Sequence, residues 1–374
     1  MTSGAKRRAV RILGVAAVAL AGCIPQAQSA QLRQPPRGPR PAQVQPQPRV
    51  AAPVPAATPA QRLLTARIRE LGRAFEGRVG IAVRDVDTGW VADWQGDRFY
   101  PQQSVSKFWV ALTALQRADA GDLDLDRRVT VTRNDLTLFH QPIAQQVGAN
   151  GYTTTLNDLM FRALTQSDNT CNDIVLRHAG GPAAVREMLT RNRLDGIRFG
   201  PGERLLQSGI AGLNWQPAFS RGNAFFTARD AVPIDRRRAA FERYVEDPVD
   251  GATPNGITNG LARLQRGELL SAESTRRLLT IMSQTHTGPN RLRGGLAAGW
   301  TISHKTGTGQ VLGAEQAGYN DIGILHAPDG HHYALAVMIG RTSTPLPARM
   351  ELMQDVVRAA IAYHEATRDA RGTR

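Results

Sequence analysis

The stretches of this chain that read as β-strands lie near its two ends, with helix-patterned sequence between them, and that separation restricts the fold more than any other feature. Residues 79–86 alternate toward Asp85 and run into the turn Asp87-Thr88-Gly89, after which residues 90–94 complete a hairpin. Residues 300–305, 319–326 and 333–339 read as three further strands, the last two joined by Pro328-Asp329-Gly330. Leu63, Leu64, Ile68, Leu71 and Phe75 recur at helical spacing over residues 62–77, and a helix over about 348–367 closes the chain. At 374 residues the chain can bury a sizeable core in one large or two intimately packed domains. Strands supplied from both ends predict an α+β (α/β) fold. An antiparallel five-stranded sheet is flanked by helices, with an all-helical lobe over about residues 104–285 inserted into it. The seam between sheet and lobe is where a pocket is expected.

Only three lysines stand against forty-three arginines, and two of them lie in short motifs, Ser104-Val105-Ser106-Lys107 and Lys305-Thr306-Gly307. Arginine stays protonated, whereas a buried lysine can lose its proton and act as a base or relay. The third, Lys6, completes a Ser3-Gly4-Ala5-Lys6 without meaning. An apolar helical run follows Ser104, so Lys107 lies one turn on and on the same face, where its amine can take the serine proton. The helix start also offers free N–H groups to a developing oxyanion. A capping serine beside an exposed lysine is the bland alternative. Between the two motifs, after a helix over 156–164, comes Ser167-Asp168-Asn169. A second hydroxyl there can pass a proton to a leaving nitrogen, and the asparagine can hold a substrate amide. At the end of a strand, Lys305 and Thr306 can clasp a substrate carboxylate while Gly307 admits close backbone. Three such motifs in this order describe a serine acyl-transfer site.

The N-terminus opens with Lys6-Arg7-Arg8 and Arg11, an apolar run over 12–21 and Leu20-Ala21-Gly22-Cys23. This is an export signal over residues 1–23, its apolar part too short for a stable membrane span. Leu-Ala-Gly-Cys resembles a bacterial lipobox, in which Cys23 is lipidated and becomes the mature N-terminus; an ordinary signal with an incidental cysteine is the alternative. Residues 24–61 are Pro, Gln, Ala and Arg without an acidic residue, and read as a disordered, partly polyproline-like tether to a globular domain over 62–370. The arginines of signal and tether supply much of the net charge of +14. Elsewhere arginines are interleaved with acids, with no basic stripe or aromatic platform, so nucleic acid is not the expected partner. With Cys23 lipidated, Cys171 is a lone thiol and the fold has no internal disulfide.

The three motifs, their order, and segments such as Asp119-Ala120-Gly121-Asp122-Leu123, Gly180-Gly181-Pro182 and Ala298-Gly299-Trp300 make the chain resemble a class A β-lactamase over roughly residues 62–368. The resemblance implies Ser104 as acylated nucleophile with Lys107 as its partner, Ser167 as proton relay and Asn169 on the substrate amide. It further implies Lys305 and Thr306 on the carboxylate, the Thr308 N–H beside that of Ser104 in the oxyanion site, and Arg291 assisting the carboxylate. Family spacing from Ser167 lands on Glu203 as the base that activates the deacylating water. Gln207 stands where asparagine is usual, Pro201 where an arginine is usual, and an insert over about 208–245 precedes Asp250-Gly251-Ala252-Thr253-Pro254. Gly202-Glu203 reads equally as a solvated surface turn, with Glu242 or Glu246 as alternative bases. His304 reads as an exposed strand residue, and His286, His331 and His332 show no metal spacing. The expected protein is a monomeric, lipid-anchored periplasmic enzyme, sorted to the outer rather than the inner membrane, with a β-lactam substrate and no cofactor. A D-alanyl-D-alanine peptidase that binds penicillin, and a wall-binding protein with a decayed site, are the alternatives.

Overall fold

The computed structural model describes residues 56–372, so the export signal, Cys23 and nearly all of the tether lie outside the described residues. Helix α1 (Pro59–Ala74) begins earlier than its apolar spacing predicts, because Thr58 caps it. The Gln61 N–H donates to the Thr58 hydroxyl at 3.2 Å, and the Thr58 N–H donates to Gln61 Oε1 at 2.8 Å. Residues 59–61, read from composition as tether, therefore belong to the domain.

The main sheet contains β1 (Arg78–Asp85), β2 (Val91–Trp94), β3 (Thr301–Thr308), β4 (Tyr319–His326) and β5 (His332–Arg341), all antiparallel in the order β2-β1-β5-β4-β3. Strands from the two chain ends meet at β1 and β5, where Ile81 pairs with Val337. β5 is apolar on both faces. Leu335, Val337 and Ile339 join a core with Ile68 and Val356, whereas Ala334, Ala336 and Met338 join one with Phe108, Trp109 and Ile257.

Between β2 and β3 lie α2 (Lys107–Asp119), α3 (Leu156–Thr165), α4 (Asn169–His178), α5 (Gly181–Arg191), α6 (Glu203–Ile210), α7 (Ala224–Asp230), α8 (Ile234–Glu246), α9 (Pro254–Gln265) and α10 (Ala272–Ser283). α11 (Leu346–Gly372) follows β5 and packs with α1 on the outer face of the sheet. α2 is buried on every side from Lys107 to Leu115, which identifies it as the helix the lobe is built around. The lobe is not all helical. Residues 128–131 pair with 152–155 in a short antiparallel ladder, and α9 lies on β1 and β5 rather than in the lobe. Their threonines and valines favour an extended backbone over another turn of helix.

The insert is folded against the body. Phe219 and Phe225 bury with Leu138 and Ala211, and Phe241, Tyr244 and Val245 of α8 bury with Leu206 and Ile210 of α6. Cys171 is a buried free thiol whose ionisation burial strongly disfavours.

Candidate active site

Ser104 sits in a 3-10 turn over Gln103–Ser106 that runs directly into α2. Gln103, just before it, is held at φ 54°, a left-handed backbone; its N–H donates to Asp250 Oδ2 at 2.8 Å. One turn on, the buried Lys107 ammonium donates to Ser104 Oγ at 2.6 Å, Asn169 Oδ1 at 2.7 Å and Glu203 Oε1 at 2.6 Å. Its three hydrogens therefore tie three segments, distant in sequence, to a single nitrogen.

The Ser167 turn is shaped by its neighbour. Asp168 caps α4 by accepting from the Cys171 N–H at 2.9 Å, and its second oxygen accepts from the Ile143 N–H at 2.7 Å. This holds Ser167 at φ 61° with its hydroxyl 3.0 Å from the donating Lys305 Nζ. Asn169 Nδ2 donates to the Leu138 carbonyl at 2.9 Å, which fixes its oxygen toward Lys107. Lys305 is fully buried; burial, then the charge of Lys107, pushes its amine well below the ordinary lysine range.

Ser104, Ser167, Asn169, Thr306 and Thr308 open onto one cavity of about 400 Å³ in the seam between β3 and the lobe. A larger groove of about 790 Å³, between α2 and the Glu268–Ser271 segment, holds none of the motif residues; its Ser271 hydroxyl donates to Asp119 Oδ1 at 2.8 Å where Ser271 caps α10. Phe139, His140 and Gln310 also line the active-site cavity and were not legible as site residues. Among the described residues no group of His, Cys, Asp or Glu is arranged to hold a metal ion.

Two residues do work other than that read from sequence. The place a Gly307 Cβ would take lies 2.4 Å from the Gln102 carbonyl, so this glycine makes room for the chain's own backbone rather than for a ligand's. Arg291 reaches the cavity wall, but Nη1 donates to the carbonyls of Gly307 (3.0 Å) and Asn320 (2.7 Å), and Nη2 to Thr308 Oγ1 (2.6 Å). Its guanidinium lies 3.8 Å from the centre of the Tyr319 ring. It braces the ends of β3 and β4 before it can meet a substrate.

His304 is not exposed. It is buried, with Nδ1 3.0 Å from both Asp321 carboxylate oxygens, because it shares the sheet face of Ile302, whose core holds Leu292 and α11, and the Leu292 N–H donates to the same carboxylate at 3.1 Å.

Glu203, 4% exposed, is not a solvated turn residue. It is the first residue of α6, whose capping position is Gly202 and supplies no side chain. Asp173 of α4 takes that duty, accepting from the Glu203 N–H at 3.0 Å and the Arg204 N–H at 3.4 Å. Burial, then the Glu203 charge, raises the Asp173 carboxyl to about 6. The sequence signal for this partner was the glycine cap alone. Gln207, one turn further, donates to Glu203 Oε2 at 3.2 Å, so the exchange from asparagine keeps an amide on the carboxylate. The alternative bases are elsewhere: Glu242 pairs with Arg341 at 2.7 Å and Glu246 with Arg78 at 3.2 Å.

A sequence model described as the beta-lactamase enzyme family matches residues 63–364. The chain belongs to the β-lactamase enzyme family. It is similar to the beta-lactamase VEB-1 of Pseudomonas aeruginosa, 24% identical over 80% of this chain and 90% of that one. It is also similar to a beta-lactamase of Amycolatopsis lactamdurans, 28% identical over 83% and 88%. Among solved structures, a beta-lactamase from Chitinophaga pinensis superposes with a TM-score of 0.66 at 26% identity, covering 81% of this chain and 99% of that one.

In this β-lactamase a Lys107→Arg variant is expected to lose at least about 10²-fold in turnover, close to the loss for Lys107→Ala, because arginine cannot give up its proton. Steady-state kinetics check this, and retention of most activity by the arginine variant would reduce Lys107 to a charge partner. Asp250 gives a stability test. Burial raises its carboxyl to about 7, although it accepts from the Gln103 N–H and the Tyr244 hydroxyl. A carboxyl raised in the folded state lends stability below the ordinary aspartate range, and that stability is lost as pH rises through about 7. Thermal unfolding between pH 5 and 8 should therefore show Tm falling with pH, and falling less in Asp250→Asn. Asp173 keeps part of the slope.

Proposed function

We propose that this β-lactamase opens the β-lactam amide through an acyl-enzyme on Ser104 and releases it with water activated by Glu203. The observation that carries the reading is the Lys107 ammonium in contact with Ser104, Asn169 and Glu203 at once. In acylation Ser104 Oγ bonds to the lactam carbonyl carbon, and its proton passes to the Lys107–Glu203 pair. The ring C–N bond then breaks, and that proton moves from the pair to the nitrogen by way of Ser167, which Lys305 polarises, so that Glu203 is again a carboxylate. The N–H groups of Ser104 and Thr308 receive the oxyanion, Asn169 the acyl amide, and Lys305 with Thr306 the carboxylate. In deacylation Glu203 removes a proton from water as its oxygen attacks the ester carbonyl, and Ser104 leaves with a proton returned from the same network. A peptidase of the same ancestry has no need of Glu203, and the burial of this carboxylate against Lys107 favours the hydrolase. Steady-state hydrolysis of a chromogenic cephalosporin is the test. Turnover is expected; stoichiometric labelling without turnover would favour the peptidase.

The reading extends to location: a monomer, exported to the periplasm and held at the outer membrane by a lipid on Cys23. Its support is the apolar run closed by Leu20-Ala21-Gly22-Cys23. Cys23→Ser is expected to move the protein from the membrane to the soluble periplasmic fraction on cell fractionation. Unchanged membrane association would rule the anchor out.

A further inference from the structure

Pro201 stands where the Glu203 loop would be expected to carry an arginine, and a tyrosine of the insert stands at the base of that loop. Tyr244 lies on α8, 6% exposed, with its ring packed among Leu206, Ile210, Phe241 and Leu312. Its hydroxyl accepts from Gln103 Nε2 at 2.6 Å and donates to Asp250 Oδ2 at 3.2 Å. Burial holds the phenol well above its ordinary range, so the hydroxyl keeps its proton. Gln103, the residue immediately before Ser104, accepts at Oε1 from Gln207 Nε2 at 3.0 Å, and Gln207 Nε2 also donates to Glu203 Oε2 at 3.2 Å. Gln310 Nε2, donating to Gln207 Oε1 at 3.0 Å, keeps that amide from turning over.

The direction of this run matters because a primary amide can face either way with nearly the same shape. Gln103 presents its oxygen to Gln207 because its nitrogen has an acceptor in Tyr244. Without the Tyr244 hydroxyl, a turned Gln103 would set its NH2 against that of Gln207, and the donor on Glu203 Oε2 would be drawn away. Lys107 holds only the other carboxylate oxygen. We propose that Tyr244 is a positioning residue for deacylation, acting through Gln103 and Gln207 to hold the Glu203 carboxylate against the attacking water. The insert is then part of the deacylating apparatus rather than a decoration of the loop. This inference rests on Glu203 being the deacylation base.

Tyr244→Phe keeps the ring and removes only the hydroxyl. Stopped-flow acylation of the whole enzyme by a chromogenic cephalosporin should stay within about twofold of wild type, while decay of the acyl-enzyme followed by intact mass should slow about tenfold, the worth of one buried hydrogen bond. A general loss of structure would slow both steps together, and that result overturns the proposal, as does unchanged decay. Gln103→Asn, a residue at ease in the left-handed backbone and too short to reach Tyr244, supplies the same split by an independent route. If Tyr244 acts through Gln103, the double variant deacylates no slower than the slower single variant; multiplied losses overturn the proposal. Slow deacylation in Glu203→Gln with none in Tyr244→Phe sinks the Tyr244 role alone. Wild-type turnover by Glu203→Gln removes the reading beneath it.

Discussion

Glu203→Gln is expected to become an enzyme that acylates and then stalls. The glutamine has the size of the glutamate and can still accept from Lys107, but it cannot take a proton from water. General-base catalysis contributes on the order of 10²–10⁴-fold, so deacylation should fall by at least that range while Ser104 still captures the drug. Intact mass after mixing with a penicillin should show one acyl group per chain, persisting for as long as the ester resists bare water. A side effect is also expected: Lys107 loses its buried counter-charge, with the pair 2.6 Å apart and Glu203 4% exposed, so acylation slows as well, though by less. If the variant turns over penicillin at the wild-type rate, the base lies elsewhere, and with Glu242 and Glu246 both committed to arginines no other glutamate of the loop or insert is placed to serve.

Ser104→Ala should show the complementary result, with no covalent adduct at any time and a loss of turnover of about 10³-fold or more. Among the described residues the Ser104 hydroxyl is the only one hydrogen-bonded to Lys107, at 2.6 Å, and Ser167 is engaged by Lys305 instead. The fold should be nearly unaffected, with stability within about 1.5 kcal/mol of wild type, because one hydrogen bond is lost and the lysine keeps two acceptors. Stoichiometric labelling of this variant would transfer the nucleophile to another residue.

Much of the site was legible because it is written in local spacing. Ser104 and Lys107 are one helical turn apart, so any helix at that place brings hydroxyl and amine together. The scarcity of lysine made Lys107 and Lys305 conspicuous, and residues 300–305 read as a strand that carries Lys305 to the site. The five strands were legible for a similar reason, since a run such as residues 333–339 has no amphipathic helical reading. Glu203 was found by its distance from Ser167, yet nothing in the local sequence separated a buried base from a surface turn.

What only the tertiary structure decided are the contacts made by residues far apart in the chain. His304 reads as an exposed strand residue, but the packing of Leu292 and α11 on its face of β3 buries it against Asp321. Gly307 looked like room for a ligand and proved to be room for the Gln102 carbonyl, a backbone two hundred residues away in sequence. Arg291, placed correctly by spacing, has its guanidinium engaged with Gly307, Asn320 and Thr308. Asp173, Gln103 and Tyr244 act on the Glu203 loop only because α4, the turn before α2 and α8 converge there. The sequence by itself determined which chemical groups exist and which lie one turn or one strand step apart. Which of them face each other across the seam was decided by packing, because burial and hydrogen-bond partners are set by chain segments whose meeting no local pattern encodes.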